Sequence, residues 1–449
     1  MVYDFLKIEK PQNLKDIESL LKRDVTFDLS IISDVSKIVE DIRVSGDKAL
    51  FSYCAKFDGI NAGSISDIKV SQDEIARARK EVTENFPELV EVINIAYKNL
   101  VEYHSAQFEK EPKTWFIGSG SGRKLGQILN PISRVGLYIP GGRYIYPSTV
   151  LMAAVPALIA GVKDIIVCTP PQKNGKISPI LLYLFSFLNI SEVYMAGGAQ
   201  AIAALAYGTE TIKRVEKIAG PGNIYVTTAK KLVYGSVGID SLAGPSEVLI
   251  IADESADGAF AAADLLSQAE HDPDARSILL TTRQDIASET IRQVYLQLDI
   301  LYEKYPDSFN RDMVVRSLEN NCRIFFNPDM EFLINVSNRI APEHLEIMAN
   351  DYDKVLSGIK NAGAIFLGNY TPVAVGDYIC GTNHVIPTGG NARFSSPLGV
   401  YDFCKKSSVA FYDKEYLRKE RKYIELLSEF ENLLAHNNSI KIRFKEDRA

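Results

Sequence analysis

The feature that most constrains this fold is an alternation, beginning at Arg134, of short apolar runs rich in β-branched residues with segments of helical periodicity. The first series reads RVGLYIP, PSTVLMAAVPALIAG, DIIVCTPP, SPILLYLFSFLN, SEVYMAGG and AQAIAALAYG. The second series begins at SEVLIIAD and continues through the helix ADGAFAAADLLSQAEH, the strand SILLTT, a helix near 285–301, the strand CRIFF and a helix over 330–349. This is the βαβ rhythm of parallel sheets covered by helices, so we predict two α/β domains.

Helical segments flank the two series. Residues 31–57 and 71–108 carry apolar residues three and four apart among many charges, which predicts a mostly helical N-terminal quarter. Near the C-terminus, KEYLRKERKYIELLSEFENLLAH is typical of an amphipathic helix, and the segment SIKIRF after it resembles a short strand. The apolar stripe of that helix needs a partner surface, either on its own core or on a second subunit.

Composition and charge exclude several classes of protein. With 50 Lys+Arg against 57 Asp+Glu, the formal net charge of -7 argues against a broad nucleic-acid-binding surface. The first residues build no apolar signal core, and the longest apolar stretch, 150–162, contains Pro156 and is shorter than the ~18–20 residues of a membrane span. The five cysteines are scattered and include no CxxC, which fits a reducing compartment. We therefore expect a soluble cytoplasmic protein with no nucleic-acid or membrane partner.

Three glycine-rich turns follow predicted strands of the first series. They are Pro140-Gly141-Gly142 after VGLYI, Gly197-Gly198 after EVYMA, and Gly220-Pro221-Gly222-Asn223 after KIA. Ligands bind at the carboxyl ends of strands in open parallel sheets. Each turn by itself could be a plain βα connection, but the three together favour a nucleotide or phosphate site. The common GxGxxG dinucleotide fingerprint is absent from the sequence, and the glycines in 118–122 are typical of a hairpin tip.

Two short pairs of residues could carry chemistry. Gln268 and His271 are three apart on a predicted helix and share one face, as two metal ligands would; alternatively, His271 is a cation at a helix C-terminus. Glu343 and His344 place a carboxylate beside an imidazole, the commonest general base. On the predicted helix their side chains would point about 100° apart and act on different points of a substrate, although plain helix-start chemistry is also open.

The remaining histidines are less informative by themselves. His384 and His436, taken alone, are more typical of structural positions than of ligands, and so is His104 inside a long charged helix. Cys380 invites a covalent thiohemiacetal interpretation, but GDYICGTNH supplies no other group nearby to activate a thiol.

Taken together, these segments resemble the histidinol dehydrogenase family. The motifs that carry the resemblance, in family order, are VGLYIPGG, YPSTVLMAAVPALIAGV, GGAQAIAALAYGTE, KIAGPGNIYVTTAK, AGPSEVLIIAD, LLSQAEHDPDA, IAPEHLEI and NAGAIFLGNYTPVAVGDYICGTNHVIPT. It spans about Arg134 to Ser408 strongly, and the C-terminal helix by its LLAH and KIRF endings. The resemblance implies an NAD-dependent four-electron oxidation of L-histidinol to L-histidine, through L-histidinaldehyde, at the end of histidine biosynthesis.

The resemblance also implies an architecture. We expect an α/β fold with two incomplete Rossmann-like parallel-sheet domains, a helical N-terminal segment and a C-terminal helical arm. Residues 1–133 with 246–380 would form the domain that carries most metal and catalytic residues, 134–245 the NAD-binding domain, and 381–449 the arm. Family members are homodimers with exchanged arms, so the arm would complete the active site of the partner subunit.

Site residues carry over from the resemblance by matching positions. The metal, usually one zinc per subunit, would be held by Gln268, His271, Asp377 and His436. His344 matches the general base, and Glu343 matches the residue that activates water on the aldehyde. Substrate contacts carry over to Ser246, Gln268, His271, His344, Asp377, Glu431 and His436, and NAD contacts to Tyr138, Gln200 and Asn223. In the exchanged dimer, Glu431 and His436 would act in trans.

Other functions remain open from the sequence. In a metal-dependent hydrolase, His271 and Asp377 would hold the metal while Glu343 activates water directly, and turnover would need no nicotinamide. A non-catalytic binding protein of two lobes would be stabilised by ligand but would form no NADH. A family member that oxidises a related amino alcohol is the third alternative.

Overall fold

A computed structural model describes residues 3–18, 28–118, 120–141 and 145–448, and side chains as far as residue 445. These residues form two compact units, which are described separately below. One contains residues 1–108 and 132–403, and the other contains residues 109–131 and 404–449.

The first unit is built on parallel strands and the helices between them. The strands are β1 (Ile8–Glu9), and then, beyond the two strands of the second unit, β4 (Arg134–Tyr138), β5 (Asp164–Thr169), β6 (Glu192–Met195), β7 (Lys217–Ala219), β8 (Gly238–Ile239), β9 (Glu247–Ala252), β10 (Arg276–Thr281), β11 (Cys322–Phe326), β12 (His344–Met348) and β13 (Ala364–Leu367). The helices are α1 (Leu29–Tyr53), α2 (Gln72–Asn85), α3 (Pro87–Lys110), α4 (Pro147–Ala160), α5 (Pro179–Phe187), α6 (Gly198–Tyr207), α7 (Ile224–Val233), α8 (Gly258–Ala269), α9 (Gln284–Lys304), α10 (Arg311–Asn321), α11 (Met330–Ile340), α12 (Tyr352–Gly358) and α13 (Val373–Tyr378).

Two parallel sheets share one strand order. The first sheet runs β6-β5-β4-β7-β8, and the second runs β1-β11-β10-β9-β12-β13. Numbered from their own first strands, β4 and β9, both follow the order 3-2-1-4-5, which is the doubly wound dinucleotide-binding order without its sixth strand. In the second sheet the N-terminal strand β1 adds a parallel edge beside β11. The predicted pair of incomplete Rossmann-like sheets is therefore confirmed, whereas the domain boundaries at 133, 245 and 380 remain predictions.

The second sheet buries both of its faces, which explains its continuous apolar strands. Along β9, Val248 and Ile250 pack on the side of α8 and α9, while Leu249 and Ile251 pack on the side of α11. Each such side chain contributes about 1.5–3 kcal/mol by leaving water. Against this background a charged side chain inside a strand is an exception that needs a partner.

The predicted helix over 330–349 is wrong in its second half. Helix α11 ends at Ile340, and Ala341 adopts a left-handed conformation with φ 52°. Pro342 follows, and the chain then enters strand β12 at His344. The residue before a proline is disfavoured in the α conformation, and HLEIM is a buried strand between β9 and β13. Glu343 and His344 therefore do not lie on a helix.

The second unit contains an antiparallel sheet and the C-terminal helices. Strands β2 (Trp115–Ile117), β3 (Arg123–Pro131) and β14 (Cys404–Tyr412) pair in the order β14-β3-β2, with the glycine-rich hairpin tip between β2 and β3. Helix α14 (Lys414–Phe430) and helix α15 (Leu434–Lys441) follow. The predicted strand SIKIRF is wrong, because these residues continue α15 and enter a 3-10 helix that buries Phe444. Over the described part of the chain, every helix is too short or too polar to span a lipid bilayer.

Candidate active site

The candidate catalytic residues lie at the amino ends of neighbouring strands of the second sheet. Glu247 begins β9, and His344 begins β12, where it pairs with Val248. Because parallel strands begin at the same edge of a sheet, this register brings two segments together that are almost a hundred residues apart in sequence. The edge is the opposite one from that at which open parallel sheets usually bind ligands.

The main chain of Glu247 fixes the orientation of His344. The Nδ1 atom of His344 lies 3.0 Å from the carbonyl oxygen of Glu247, to which it donates in the neutral imidazole. This leaves Nε2 as the basic nitrogen; it is buried and has no hydrogen-bond partner among the described residues. Burial lowers the pKa of His344, although the charge of Asp377 opposes that shift. His344 is therefore a neutral base whose lone pair is free for a ligand.

The main chain of Glu247 also holds Glu343. The backbone N–H of Glu247 donates to Oε2 of Glu343 at 2.8 Å, and the Ser246 side chain hydrogen-bonds the same carboxyl. Burial, and then the charges of Glu247 and Asp377, raise the pKa of Glu343 well above its usual range. The Oε2 atom lies 3.5 Å from Nδ1 of His344, so the two side chains are neighbours at the strand entrance. A carboxyl held in this way is a stronger base than an exposed one once it ionises.

Gln268 lies on α8, as the sequence predicts, whereas the prediction that His271 shares this helix is wrong, because the helix ends at Ala269. Gln268 is in the last turn and is buried, and its Nε2 has no hydrogen-bond partner within the part of the chain described here. His271 follows the helix, and its Nδ1 lies 2.9 Å from the carbonyl oxygen of Ser267. This contact fits both alternatives: it satisfies a histidine at a helix C-terminus, and it fixes the tautomer that leaves Nε2 for a metal.

Asp377 and His384 complete this cluster. Asp377 is half-buried on α13, and its charge favours the protonated forms of His344 and His384. Nδ1 of His384 lies 3.1 Å from the backbone oxygen of Asp377, and its Nε2 lies 3.3 Å from Oγ1 of Thr149 on α4. His271 also acts electrostatically on both histidines. His384, which sequence reasoning left as structural, is thus part of the site; its position seven residues after Asp377 was the available signal.

The glycine turns lie at the carboxyl ends of the first sheet. Gly141, Gly197 and Gly220 follow β4, β6 and β7 respectively, as predicted, whereas Gly142 lies outside the described residues. Gly220 has φ +117°, and an added Cβ would overlap the backbone oxygen of Tyr138. Only glycine fits that backbone without displacement.

Side chains beneath the turns hold them in place. The Asp58 carboxylate accepts the backbone N–H of Gly197 at 3.2 Å and Nε2 of Gln200 at 3.0 Å. The hydroxyl of Tyr138 accepts the backbone N–H of Gly198 at 3.1 Å. Both Tyr138 and Gln200 are buried, so their geometry is that of residues that shape the turn. Asp58 was missed by sequence reasoning, because its partner Gln200 is 142 residues away.

The turn at Gly220 is clamped by a buried ion pair. Nζ of Lys230 lies 2.6 Å from Asp240 and 2.5 Å from the Gly220 carbonyl oxygen, while the other Asp240 oxygen accepts the Gly220 N–H at 2.7 Å. Asn223 caps α7 by accepting the N–H groups of Tyr225 and Val226. The cap leaves its amide NH2 group exposed at the same edge.

The last two predicted site residues belong to the second unit. Glu431 follows α14 and His436 lies on α15, and both are exposed. Their role in the site remains a prediction. Within the described residues, no group of three or more His, Cys, Asp or Glu side chains is arranged to hold a metal ion.

The glycine-lined edge of one incomplete Rossmann-like sheet and the buried imidazole–carboxyl cluster of a second are features of an α/β enzyme. Comparison with known proteins gives the family. The family model for histidinol dehydrogenase matches residues 21–444.

Relatives and a solved structure agree with this match. The chain is 44% identical over 446 residues to the histidinol dehydrogenase of Oceanobacillus iheyensis, covering 99% of this chain and 100% of that one. It is 47% identical over 417 residues to the enzyme of Caldanaerobacter subterraneus, covering 93% of each. The crystal structure of histidinol dehydrogenase from Elizabethkingia anophelis aligns over 100% of both chains, with a TM-score of 0.89 at 37% identity. The chain belongs to the histidinol dehydrogenase family, which consists of NAD-dependent oxidoreductases.

Proposed function

We propose that this protein oxidises L-histidinol to L-histidine through L-histidinaldehyde, with two molecules of NAD, at the end of histidine biosynthesis. Family membership supports the reaction. The observation that carries the chemistry is the tautomer of His344, whose Nδ1 is held by the Glu247 carbonyl while its buried Nε2 has no partner among the described residues. A neutral imidazole in that arrangement can remove one proton and release it later.

In the first half-reaction His344 acts on the alcohol. Its Nε2 accepts the hydroxyl proton as hydride leaves the carbinol carbon, and the aldehyde forms. The Glu247 carbonyl stabilises the resulting imidazolium, because its oxygen accepts a hydrogen bond from Nδ1–H, with Nδ1 and the oxygen 3.0 Å apart. When bound, NAD supplies the hydride acceptor, once in each half-reaction. Holding the carbinol carbon in line with that acceptor is positioning catalysis.

In the second half-reaction Glu343 acts on water. The ionised carboxylate takes a proton from a water molecule that adds to the aldehyde carbon, and the aldehyde oxygen takes a proton from solvent, which gives the hydrate. Hydride then leaves the hydrate carbon, a hydroxyl proton passes to solvent, and the carboxylic acid forms. The Glu247 N–H and Ser246 keep the carboxylate oriented, and its raised pKa makes it a more effective base.

The residues of the first unit fit a zinc ion. Gln268 is buried with an unsatisfied amide, His271 presents Nε2 with Nδ1 anchored, and Asp377 supplies a carboxylate. Nitrogen and oxygen donors of this kind suit zinc. Gln268, His271, Asp377 and His436 would hold it. When bound, zinc would anchor the imidazole and amino nitrogens of the substrate, and Ser246 and Glu431 would contact the same ligand.

A homodimer with exchanged C-terminal arms would deliver the remaining residues. Helices α14 and α15 and the turn between them carry exposed apolar side chains, namely Tyr423, Leu426, Leu427, Phe430, Leu433 and Leu434. A stripe of that size is normally covered by another surface. We propose that it packs on a second copy of the chain, so that Glu431 and His436 act in trans, and that the dimer works in the cytoplasm.

The turns of the first sheet are the proposed NAD site. They combine glycines that admit close approach of a ligand with the N-terminus of α7, which favours a negatively charged group. Tyr138 and Gln200 would act by shaping the turns, and Asn223 by direct contact.

The proposed function is tested by NADH formation from L-histidinol with excess NAD, using metal-loaded protein and protein stripped with a chelator. Two NADH per histidinol, lost on stripping and restored by zinc, are expected. Absence of NADH from folded, metal-loaded protein would overturn the proposal. NADH from a related amino alcohol alone, or hydrolysis without nicotinamide, would then identify the alternative.

A further inference from the structure

Two carboxyl groups with no role in the proposed chemistry lie behind the site. Glu346 is in strand β12 and is 1% exposed, and Asp264 is half-buried on α8. The two carboxyl groups can hydrogen-bond each other when one of them carries a proton; without that proton, Oε2 of Glu346 is buried with no partner among the described residues. Oε1 of Glu346 also accepts the backbone N–H of Val373, the first residue of α13, at 2.8 Å. One acid pair therefore connects a strand and two helices.

Glu346, Asp264 and their hydrogen-bonded neighbour Val373 each lie close in sequence to proposed site residues. Glu346 is two residues after His344, so both point to the same face of β12. Asp264 is four residues before Gln268 on one stripe of α8, and His271 follows in the turn just after that helix. Val373 is four residues, one helical turn, before Asp377. A shift of this pair would move the base and three proposed metal ligands relative to one another.

Burying two neighbouring carboxyl groups lowers the stability of the fold, so their presence calls for an explanation. Burial and the charge of Asp264 raise the pKa of Glu346 well above its usual range, and burial raises the pKa of Asp264 to about 6. The raised pKa of Glu346 favours its protonated form, in which its hydroxyl can donate a hydrogen bond to the Asp264 carboxylate. Apolar side chains of similar volume would often fill such a space at no loss of stability, so the pair is better explained by the geometry that it imposes.

We propose that Glu346 and Asp264 are positioning residues that fix the relative placement of the three elements carrying the base and the zinc ligands. This inference rests on the proposed function. The pair touches neither the substrate nor the reacting atoms in this account. Its effect is on metal affinity and ligand geometry, as for groups that support metal ligands from behind.

Two variants with opposite expectations test this proposal. Glu346→Gln keeps both hydrogen bonds, because its amide oxygen accepts the Val373 N–H and its NH2 group donates to Asp264. It should bind zinc within about twofold of the wild type. The double variant Asp264→Leu with Glu346→Met removes both bonds without leaving a buried charge. It leaves the Val373 N–H without its acceptor, so it should fold with a midpoint of thermal unfolding that is unchanged or a few degrees lower, yet bind zinc about 10-fold more weakly.

Zinc affinity is measured by competition with a chelating dye, and ligand geometry by the visible absorption of the cobalt-loaded protein, both without histidinol or NAD. Thr290→Val is the matched control, because it removes a fully buried hydroxyl in α9 that donates to the Ile286 carbonyl oxygen one turn earlier in the same helix. This variant should change neither the zinc affinity nor the cobalt spectrum. A folded double variant with wild-type zinc affinity and a wild-type cobalt spectrum would overturn the proposal.

If the double variant does not fold, the single variant Asp264→Leu replaces it. This variant removes the acceptor for the Glu346 proton and keeps the Glu346–Val373 bond, so it should weaken zinc binding in the same direction, and unchanged affinity would overturn the proposal. Wild-type protein that binds zinc but forms no NADH would refute the proposed reaction and not the acid pair. Normal NADH formation with unchanged zinc affinity in the variants would refute the acid pair and not the reaction.

Discussion

The two parallel sheets of this protein have one topology and present their polar groups at opposite edges. In the first sheet, the glycine turns after β4, β6 and β7 lie at the carboxyl ends of the strands. In the second sheet, Glu343, His344 and the main chain of Glu247 gather at the amino ends of β9 and β12. Strand order alone therefore does not locate a site.

The two edges differ in the means by which they can bind a ligand. At the first sheet, the groups available to a ligand are backbone N–H groups in tight turns. Such turns suit a polyphosphate, which must approach the backbone closely. At the second sheet they are buried imidazoles and carboxyls whose pKa values are shifted by burial and by one another. We infer a division of labour in which the first sheet holds the cofactor and the second sheet does the proton chemistry.

The largest expected effect is that of His344→Asn. Asparagine keeps a polar side chain of similar reach but cannot take the alcohol proton, so oxidation of L-histidinol should fall by about 10³-fold. Oxidation of L-histidinaldehyde should fall much less, and it serves as the internal control. NADH formation from each substrate measures the two steps, and a variant that oxidises both normally would remove His344 from the chemistry.

Glu343→Gln should have the complementary effect. The amide cannot deprotonate water, so oxidation of L-histidinaldehyde should fall by about 10²-fold while oxidation of L-histidinol is retained. The same pair of NADH assays applies. Equal loss in both half-reactions would show that the two adjacent residues do not have separate roles.

Gly220→Ala probes the edge of the first sheet. The added Cβ would overlap the Tyr138 carbonyl at a backbone conformation that side chains disfavour, and strain of about 1–3 kcal/mol should raise the KM for NAD about 10-fold. Gly235→Ala is the matched control: its φ is also positive, +100°, and no described atom lies within 4 Å of its added Cβ. An unchanged KM in Gly220→Ala would contradict a cofactor site at this edge.

The smallest effect concerns pH. Burial lowers the pKa of His344 from 6.5, so this base stays neutral to lower pH, and the acid limb of alcohol oxidation should lie below pH 6.5. Burial and neighbouring charges raise the pKa of Glu343 above 4.5, so aldehyde oxidation, which needs the carboxylate, should lose activity at a higher pH than an ordinary glutamate would allow. Separate pH profiles of kcat/KM for the two half-reactions check both directions.

Sequence periodicity predicted the features that depend on local spacing. The parallel strands, the glycine turns at their ends, and the helix that carries Gln268 follow from residues close together in the chain, whereas His271 lies in the turn just beyond that helix. The helix over 330–349 was wrong because the apolar residues around HLEIM fit either structure, and a strand between β9 and β13 satisfies them better. The strand SIKIRF was wrong because Phe444 is buried from a helical segment.

Most of what sequence reasoning missed depends on contacts between distant segments. The Glu247 peptide meets His344 across 97 residues, and Asp58 meets Gln200 across 142. No local pattern encodes such pairings. A partial signal did exist, since Glu247 and Glu346 are acids at or inside otherwise apolar strands, where a charge requires a specific partner.

The most direct test of the division of labour is calorimetric titration of NAD and of zinc into three proteins: the wild type, Gly220→Ala and His271→Asn. The account predicts that Gly220→Ala weakens NAD binding and leaves zinc binding unchanged, and that His271→Asn does the reverse. A Gly220→Ala variant that loses as much zinc affinity as NAD affinity would contradict the account. So would a His271→Asn variant that loses as much NAD affinity as zinc affinity.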